Sequence, residues 1–199
     1  MGSSGTPMKL VLRGRTYEVH DGDVLLQRWA GWRAFGVALL NDGWSHAGLI
    51  VRGADGAPAV AECTTRAWTT IEDDQVRHGV GQRAIGRSFD EQETRCLRVG
   101  IARVTPPLRA AELVLMKAWI QKQLAVQAAA PDVSLYDLGA DFVLSPLACG
   151  LSWSANRYTC SEFLTRAYAA SGRWTEVAMA PLIPALLDGM NASVEVAFE

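Results

Sequence analysis

Two apolar runs, Trp44-Ser45-His46-Ala47-Gly48-Leu49-Ile50-Val51 and Ala59-Val60-Ala61-Glu62-Cys63, flank a turn signal at Ala54-Asp55-Gly56 and constrain this chain more than any other feature. Such runs on either side of an Asp-Gly turn predict two antiparallel strands joined as a hairpin. Side chains alternate between the faces of a strand, so the length of the loop decides which residues meet. A three-residue loop at 54–56 sets Glu62 opposite Gly48 and on the same face as His46, whereas a two-residue loop sends Glu62 to the other face. In the first register His46 and Glu62 form a diagonal pair. Gly48 has no side chain, so a carboxylate can reach across it to the imidazole.

The hairpin is set among further strands. Residues 9–13 and 16–19 alternate or run apolar around Gly14 and predict a short hairpin. Asp21-Gly22-Asp23 is a turn signal, and Val24-Leu25-Leu26-Gln27 after it has the continuous apolar character of a buried central strand. Residues 29–40 carry Trp32, Phe35, Val37, Leu39 and Leu40, an apolar load read as cover for the core ahead of a substrate wall. Residues 68–90 are polar, glycine-bearing and weakly patterned, and are expected to make a long surface excursion. Within it Glu72-Asp73-Asp74 is read as a solvated patch, and His78, like His20, has no catalytic context. Residues 96–104 alternate apolar and basic and predict a half-exposed strand.

After Pro106 and Pro107, a stripe of Leu113, Met116, Lys117, Trp119, Ile120, Leu124 and Val126 predicts a long scaffold helix that Pro131 breaks. Ser134-Leu135-Tyr136-Asp137 precedes a second helical run through Phe142, Val143 and Leu147, and 150–157 form a polar linker. In Tyr158-Thr159-Cys160-Ser161-Glu162-Phe163-Leu164-Thr165-Arg166-Ala167-Tyr168, the residues Phe163, Leu164, Ala167, Tyr168 and Ser171 recur at helical spacing and Gly172 is a stop. A helix over 160–170 follows. Beyond it come a short helix around Pro181 and Pro184, ending at Gly189, and a closing strand over 193–198.

Cys160 therefore starts a helix, where unpaired N–H groups and the positive end of the macrodipole favour a thiolate over a thiol. That makes it a candidate nucleophile; the alternative is a buried structural cysteine, the commoner fate of a lone thiol. A thiolate needs a base held in one tautomer by a third polar group. His46 and Glu62 fit those two roles.

The totals exclude several other classes. At 199 residues the chain has the length of one domain, and residues 1–8 are expected to be a tail, disordered or left over from cloning, before a single domain over 9–199. A net charge of -2 without any Lys/Arg-rich run offers no footprint for nucleic acid or an anionic membrane. Four scattered cysteines, Cys63, Cys96, Cys149 and Cys160, show no metal-ligand spacing, so no metal or other cofactor is implied, and the first three are read as core residues. No apolar run reaches the length of a membrane span, and the N-terminus lacks the pattern of a signal peptide, so a soluble protein is expected.

Taken in order, Gly22-Asp23-Val24-Leu25-Leu26, Ser45-His46-Ala47-Gly48-Leu49-Ile50-Val51, Ala61-Glu62 and Tyr158-Thr159-Cys160-Ser161-Glu162-Phe163-Leu164 resemble the circularly permuted papain-like branch of the NlpC-type cysteine peptidases, in particular its YiiX-like (YaeF-like) members. Tyr136-Asp137 and the segment at Pro181 also look like that branch, and the resemblance covers most of 22–187. It implies an α+β fold in which an antiparallel sheet bearing the histidine packs against helices, one of them with the cysteine at its N-terminus. It further implies Cys160 as nucleophile, His46 as base and Glu62 as the orienting residue. Tyr158 would stand beside the nucleophile, where its phenol and the Cys160 backbone N–H could serve an oxyanion. Gln27 would assist as a glutamine does in papain-like enzymes, Trp44 would lie near the substrate, and Glu162 is read as favouring the helix N-terminus through the dipole. The implied activity is cleavage of an amide bond, in peptidoglycan-type peptides. Alternatives are a lipid acyl substrate on the same architecture, or a non-catalytic binding module. Some relatives are toxins exported into rival cells, so an antibacterial effector made in the bacterial cytoplasm, with a dedicated secretion route and an immunity or inhibitor protein as partner, is a further expectation.

Overall fold

The computed structural model describes residues 6–31, 34, 38, 42–69, 76–85, 95–130, 159–173, 187 and 191–198. Along the chain these form β1 (Met8–Leu12), β2 (Arg15–Val19), β3 (Val24–Trp29), β4 (His46–Arg52), β5 (Pro58–Thr69), β6 (Val76–Ala84), β7 (Cys96–Arg103), α1 (Ala110–Ala129), α2 (Cys160–Ala170) and β8 (Ser193–Phe198). The fold is α+β. Strands β1 and β2 pair as a separate hairpin, and the other six make one antiparallel sheet in the order β6-β5-β4-β3-β7-β8. Met8, expected to belong to an N-terminal tail, is the first residue of β1 and is buried.

Strand alternation divides the core into two. Val24, Leu26, Ala47, Leu49, Ala61 and Cys63 form one cluster with Met116 and Ile120 of α1 and Phe163, Leu164, Ala167 and Tyr168 of α2. The intervening residues Leu25, Ile50, Val60, Val99 and Ile101 cluster instead with Met8, Leu10, Leu12 and Val19 of the β1–β2 hairpin. Hairpin, sheet and helices are therefore three layers, and β3, covered on both faces, is the expected continuous apolar run.

The turn between β4 and β5 has the three-residue form. The Gly53 N–H donates to the Ala57 carbonyl (2.8 Å), enclosing 54–56, and Gly56 takes a φ of 83° that a side chain would disfavour. The register that follows pairs Leu49 with Ala61 and Ile50 with Val60. One step further along, Gly48 faces Glu62.

Further expectations need correction. Residues 68–90 are not a surface excursion throughout, because β5 continues to Thr69 and β6 pairs with it, burying Val80, Gln82 and Arg83. Glycines and charged side chains hide the strand period there, and α1 covers β6: the Val80 N–H donates to the side-chain oxygen of Gln127 (3.2 Å). β7 is more than half buried, since Val99, Gly100, Ile101 and Ala102 lie between β3 and β8 with both faces covered. In α1 the buried stripe contains Leu113, Met116, Ile120 and Leu124, while Val126 is exposed. The expected helices over 134–147 and 181–189, the acidic patch at 72–74, and Cys149 lie outside the described residues. Cys63 and Cys96 are buried, as expected of core residues.

Candidate active site

α2 begins where the sequence places it. Thr159 is its N-cap: the Thr159 hydroxyl accepts from the Glu162 N–H (3.2 Å), and the Thr159 N–H donates to a Glu162 carboxylate oxygen (3.2 Å), a reciprocal capping box. Glu162 thus serves the helix start, and Arg166 one turn on lies 3.6 Å from its other oxygen. At the far end, Gly172 has a φ of 77° and its N–H closes on the Ala169 carbonyl (3.0 Å).

α2 runs alongside β4 in the same direction. Near its end the Tyr168 hydroxyl donates to the Gly22 carbonyl, and the Gly22 N–H donates to Ile50 at the far part of β4. Eight residues of helix, from Cys160 to Tyr168, rise about 12 Å. Four residues of strand, from His46 to Ile50, rise about 13 Å. The match brings the first residue of α2 to the first residue of β4, close enough for the Cys160 side chain to act on the ionisation of the His46 imidazole.

The His46 imidazole is 7% exposed and its Nε2 contacts Glu62 Oε2. Gly48 makes that contact sterically possible: a Cβ placed there would lie 3.2 Å from the Glu62 Cβ and 3.3 Å from Oε2. With Nε2 committed to the carboxylate, Nδ1 is the nitrogen left for the thiol. Burial pushes the imidazole toward its neutral form. The Glu62 charge and the hydrogen bonds to Cys160 and Glu62 together outweigh burial and raise its pKa from 6.5 to about 9. The ring is therefore an imidazolium at neutral pH, flanked by a carboxylate and a sulfur.

The structure adds a residue that sequence reading missed. Glu62 is 1% exposed, and its second oxygen, Oε1, forms an ion pair with Nη2 of Arg83, itself 4% exposed on β6. The signal was present in Gly79-Val80-Gly81-Gln82-Arg83, where glycine at every second position opens one face of a strand, but the composition read as surface.

The other candidates fall differently. Gln27 is the cross-strand partner of His46 and is buried; its side-chain oxygen accepts from the Trp29 indole N–H (3.2 Å), which turns its NH₂ end away from Trp29. Trp44, expected near the substrate, is buried in the core over Gly100, where an added Cβ would come within 2.7 Å of the indole. The Arg98 guanidinium stacks 4.4 Å from the centre of the Trp44 ring. Tyr158 lies outside the described residues. His78 is exposed on β6, and the His20 N–H donates to Asp23 (2.8 Å). Among the described residues no group of three or more His, Cys, Asp or Glu side chains could hold a metal ion, and no helix is long and apolar enough to cross a membrane.

No protein-family model matches the sequence, and no curated protein matches it significantly. Among solved structures the chain is similar to one described as the crystal structure of metalloprotein YiiX from Escherichia coli O157:H7, DUF1105, at 16% identity over 77% of this chain and 67% of that one, with a TM-score of 0.49.

Proposed function

We propose that the protein is a cysteine hydrolase of the permuted papain-like type that cleaves an amide bond, with Cys160 as nucleophile, His46 as acid and base, and Glu62 as the group that orients His46. The observation that carries this reading is the His46 ring held between the Glu62 carboxylate and the Cys160 thiol at the start of α2. A buried imidazole joined to a carboxylate on one side and a thiol on the other is the arrangement that nucleophilic thiol catalysis requires.

In the proposed cycle the proton is already on His46, and the Cys160 sulfur beside the imidazolium attacks the substrate carbonyl carbon. The oxyanion of the tetrahedral intermediate is served by the Cys160 backbone N–H at the helix start, with the Gln27 amide as second donor. Collapse breaks the C–N bond, and the His46 proton goes to the departing amine, leaving a thioester. His46, now neutral, takes a proton from water as the water attacks. The second collapse releases the acid and returns the thiolate beside an imidazolium. The substrate class proposed is a peptidoglycan-type peptide, on the strength of the sequence resemblance.

Iodoacetamide alkylation of Cys160, read by mass spectrometry at pH 7, tests the pairing. Replacing His46 by Ala is expected to slow it by about tenfold or more, since the imidazolium no longer stabilises the thiolate. Equal rates in both proteins would remove the basis for a hydrolase. With the pair established, intact-mass analysis after incubation with muropeptides or lipid esters identifies the acyl group carried on Cys160. A peptidyl adduct supports the amidase reading, and a fatty acyl adduct replaces it with a lipid acylhydrolase.

A further inference from the structure

We propose that Arg83 is a positioning and charge-balancing residue of this site: by taking one oxygen of Glu62 into an ion pair of its own, it leaves His46 to pair with the Cys160 sulfur. The inference rests on the proposed thiol hydrolase reading and deepens it.

The geometry is a diagonal row across three strands. Glu62 on β5 faces Gly81 of β6, and on the other side the register brings Gly48 of β4 opposite it. Its neighbour on each side is thus a glycine. His46 stands two residues from Gly48 and Arg83 two residues from Gly81, and residues two apart share a face. Both long side chains reach the central carboxylate over a position that carries no side chain, and its oxygens are divided between them, Oε2 to His46 and Oε1 to Arg83. Around His46 the titratable and charged groups in contact are Glu62 from β5 and Cys160 from α2; Gln27 opposite on β3 is neutral, and Arg83 acts from β6 through Glu62.

The charge balance of the row depends on Arg83. In the ion-pair state that the proposed reaction uses, guanidinium, carboxylate, imidazolium and thiolate cancel, two ion pairs sharing one buried row. Without Arg83 the other three carry a net negative charge in a place withdrawn from water, where an uncompensated charge is costly. The least costly response is uptake of a proton from solvent by the sulfur, while His46 keeps its own proton as counter-ion to Glu62. Arg83 therefore decides which of its two anionic neighbours His46 serves.

The test uses the full chain with Arg83→Met and Arg83→Lys, followed by two readings: NMR titration of the His46 imidazole, and iodoacetamide alkylation of Cys160 at pH 7. In Arg83→Met, His46 is expected to hold its proton to a pH about one unit higher than in the unsubstituted protein, while alkylation slows by about tenfold. Arg83→Lys, which keeps the charge, is expected to leave both close to the unsubstituted values. A purely structural role would loosen Glu62 from His46 and move the imidazole titration the other way, toward its ordinary value. That result, or an unchanged titration with undiminished alkylation in folded Arg83→Met, would overturn the proposal. Should Arg83→Met not fold, Arg83→Lys decides: a folded Lys variant that has lost alkylation equally contradicts charge balance, and one that retains it supports it. The hydrolase reading fails separately, through the His46→Ala control, because the imidazole titration reports on Arg83 whether or not the thiol is a catalyst.

Discussion

At the scale of single residues, the site is organised by the placement of a buried carboxylate. Glu62 is held between an imidazole and a guanidinium, and the imidazole is held at about 9 rather than 6.5 by the charges and hydrogen bonds around it. A group whose folded pKa is raised contributes stability that is fully present below its unfolded pKa and lost as pH rises through the folded value. The protein should therefore lose resistance to urea between pH 6.5 and about 9, and His46→Gln should flatten that part of the profile. A slope unchanged by the substitution would contradict the assignment. In the proposed reaction the same proton protonates the leaving amine, so the rate of amide cleavage should fall as pH passes about 9. Gly48→Ala is a second probe, because the new methyl would collide with the Val60 Cγ2 methyl and also press on the Glu62 Cβ at 3.2 Å. Overpacking of this kind costs about 1–3 kcal/mol. Urea denaturation should show that loss and Cys160 alkylation should slow with it.

At the scale of elements, α2 starts at Cys160 because the reciprocal bonds of Thr159 and Glu162 pair each other's N–H groups, which would otherwise be unpaired. Thr159→Ala should cost about 1 kcal/mol in urea denaturation. It should also slow Cys160 alkylation, as the first helical turn frays; a stability loss with no change in alkylation would separate the cap from the site. The helix start was legible in the sequence, where Glu162 reads only as favouring the N-terminus through the dipole; the β4–β5 register was narrowed to two loop lengths at 54–56. β6 was not legible. Its apolar content is low because its neighbours are glycines that make room and polar side chains that find partners, and neither leaves the alternation that marks a half-buried strand.

At the scale of the molecule, the site depends on three layers holding α2 against β4. Phe163 is buried among β-sheet and α1 residues, with its ring centre 5.2 Å from that of Trp119. Truncating it to Ala should cost about 3–5 kcal/mol, measured by denaturation. Because Phe163 sits less than one turn from Cys160, the same variant should lose alkylation under conditions where it is still folded. Full reactivity in folded Phe163→Ala would show that α2 is positioned by its Tyr168 end and its cap alone. The β1–β2 hairpin covers Leu25, Ile50 and Val60. Residues two apart share a face, so the His46, Glu62 and Arg83 row belongs to the same face of the sheet as Ile50 and Val60.

Local chemistry was enough to predict the strands around the 54–56 turn and the helix that begins at Cys160, and to narrow the parity of His46 and Glu62 to two loop lengths, of which the structure has the three-residue one. Each of these follows from side-chain alternation, loop length or capping, which act over a few residues. The meeting of Cys160 with His46 joins positions far apart in the chain, and the Glu62–Arg83 pair joins two strands whose register no turn signal in the sequence specifies. Those contacts exist because the sheet and helices pack at fixed spacing, so only the tertiary structure decided them. It also decided that Trp44 fills the space over Gly100, since an indole beside a candidate base reads the same in sequence whether it faces a substrate or a glycine.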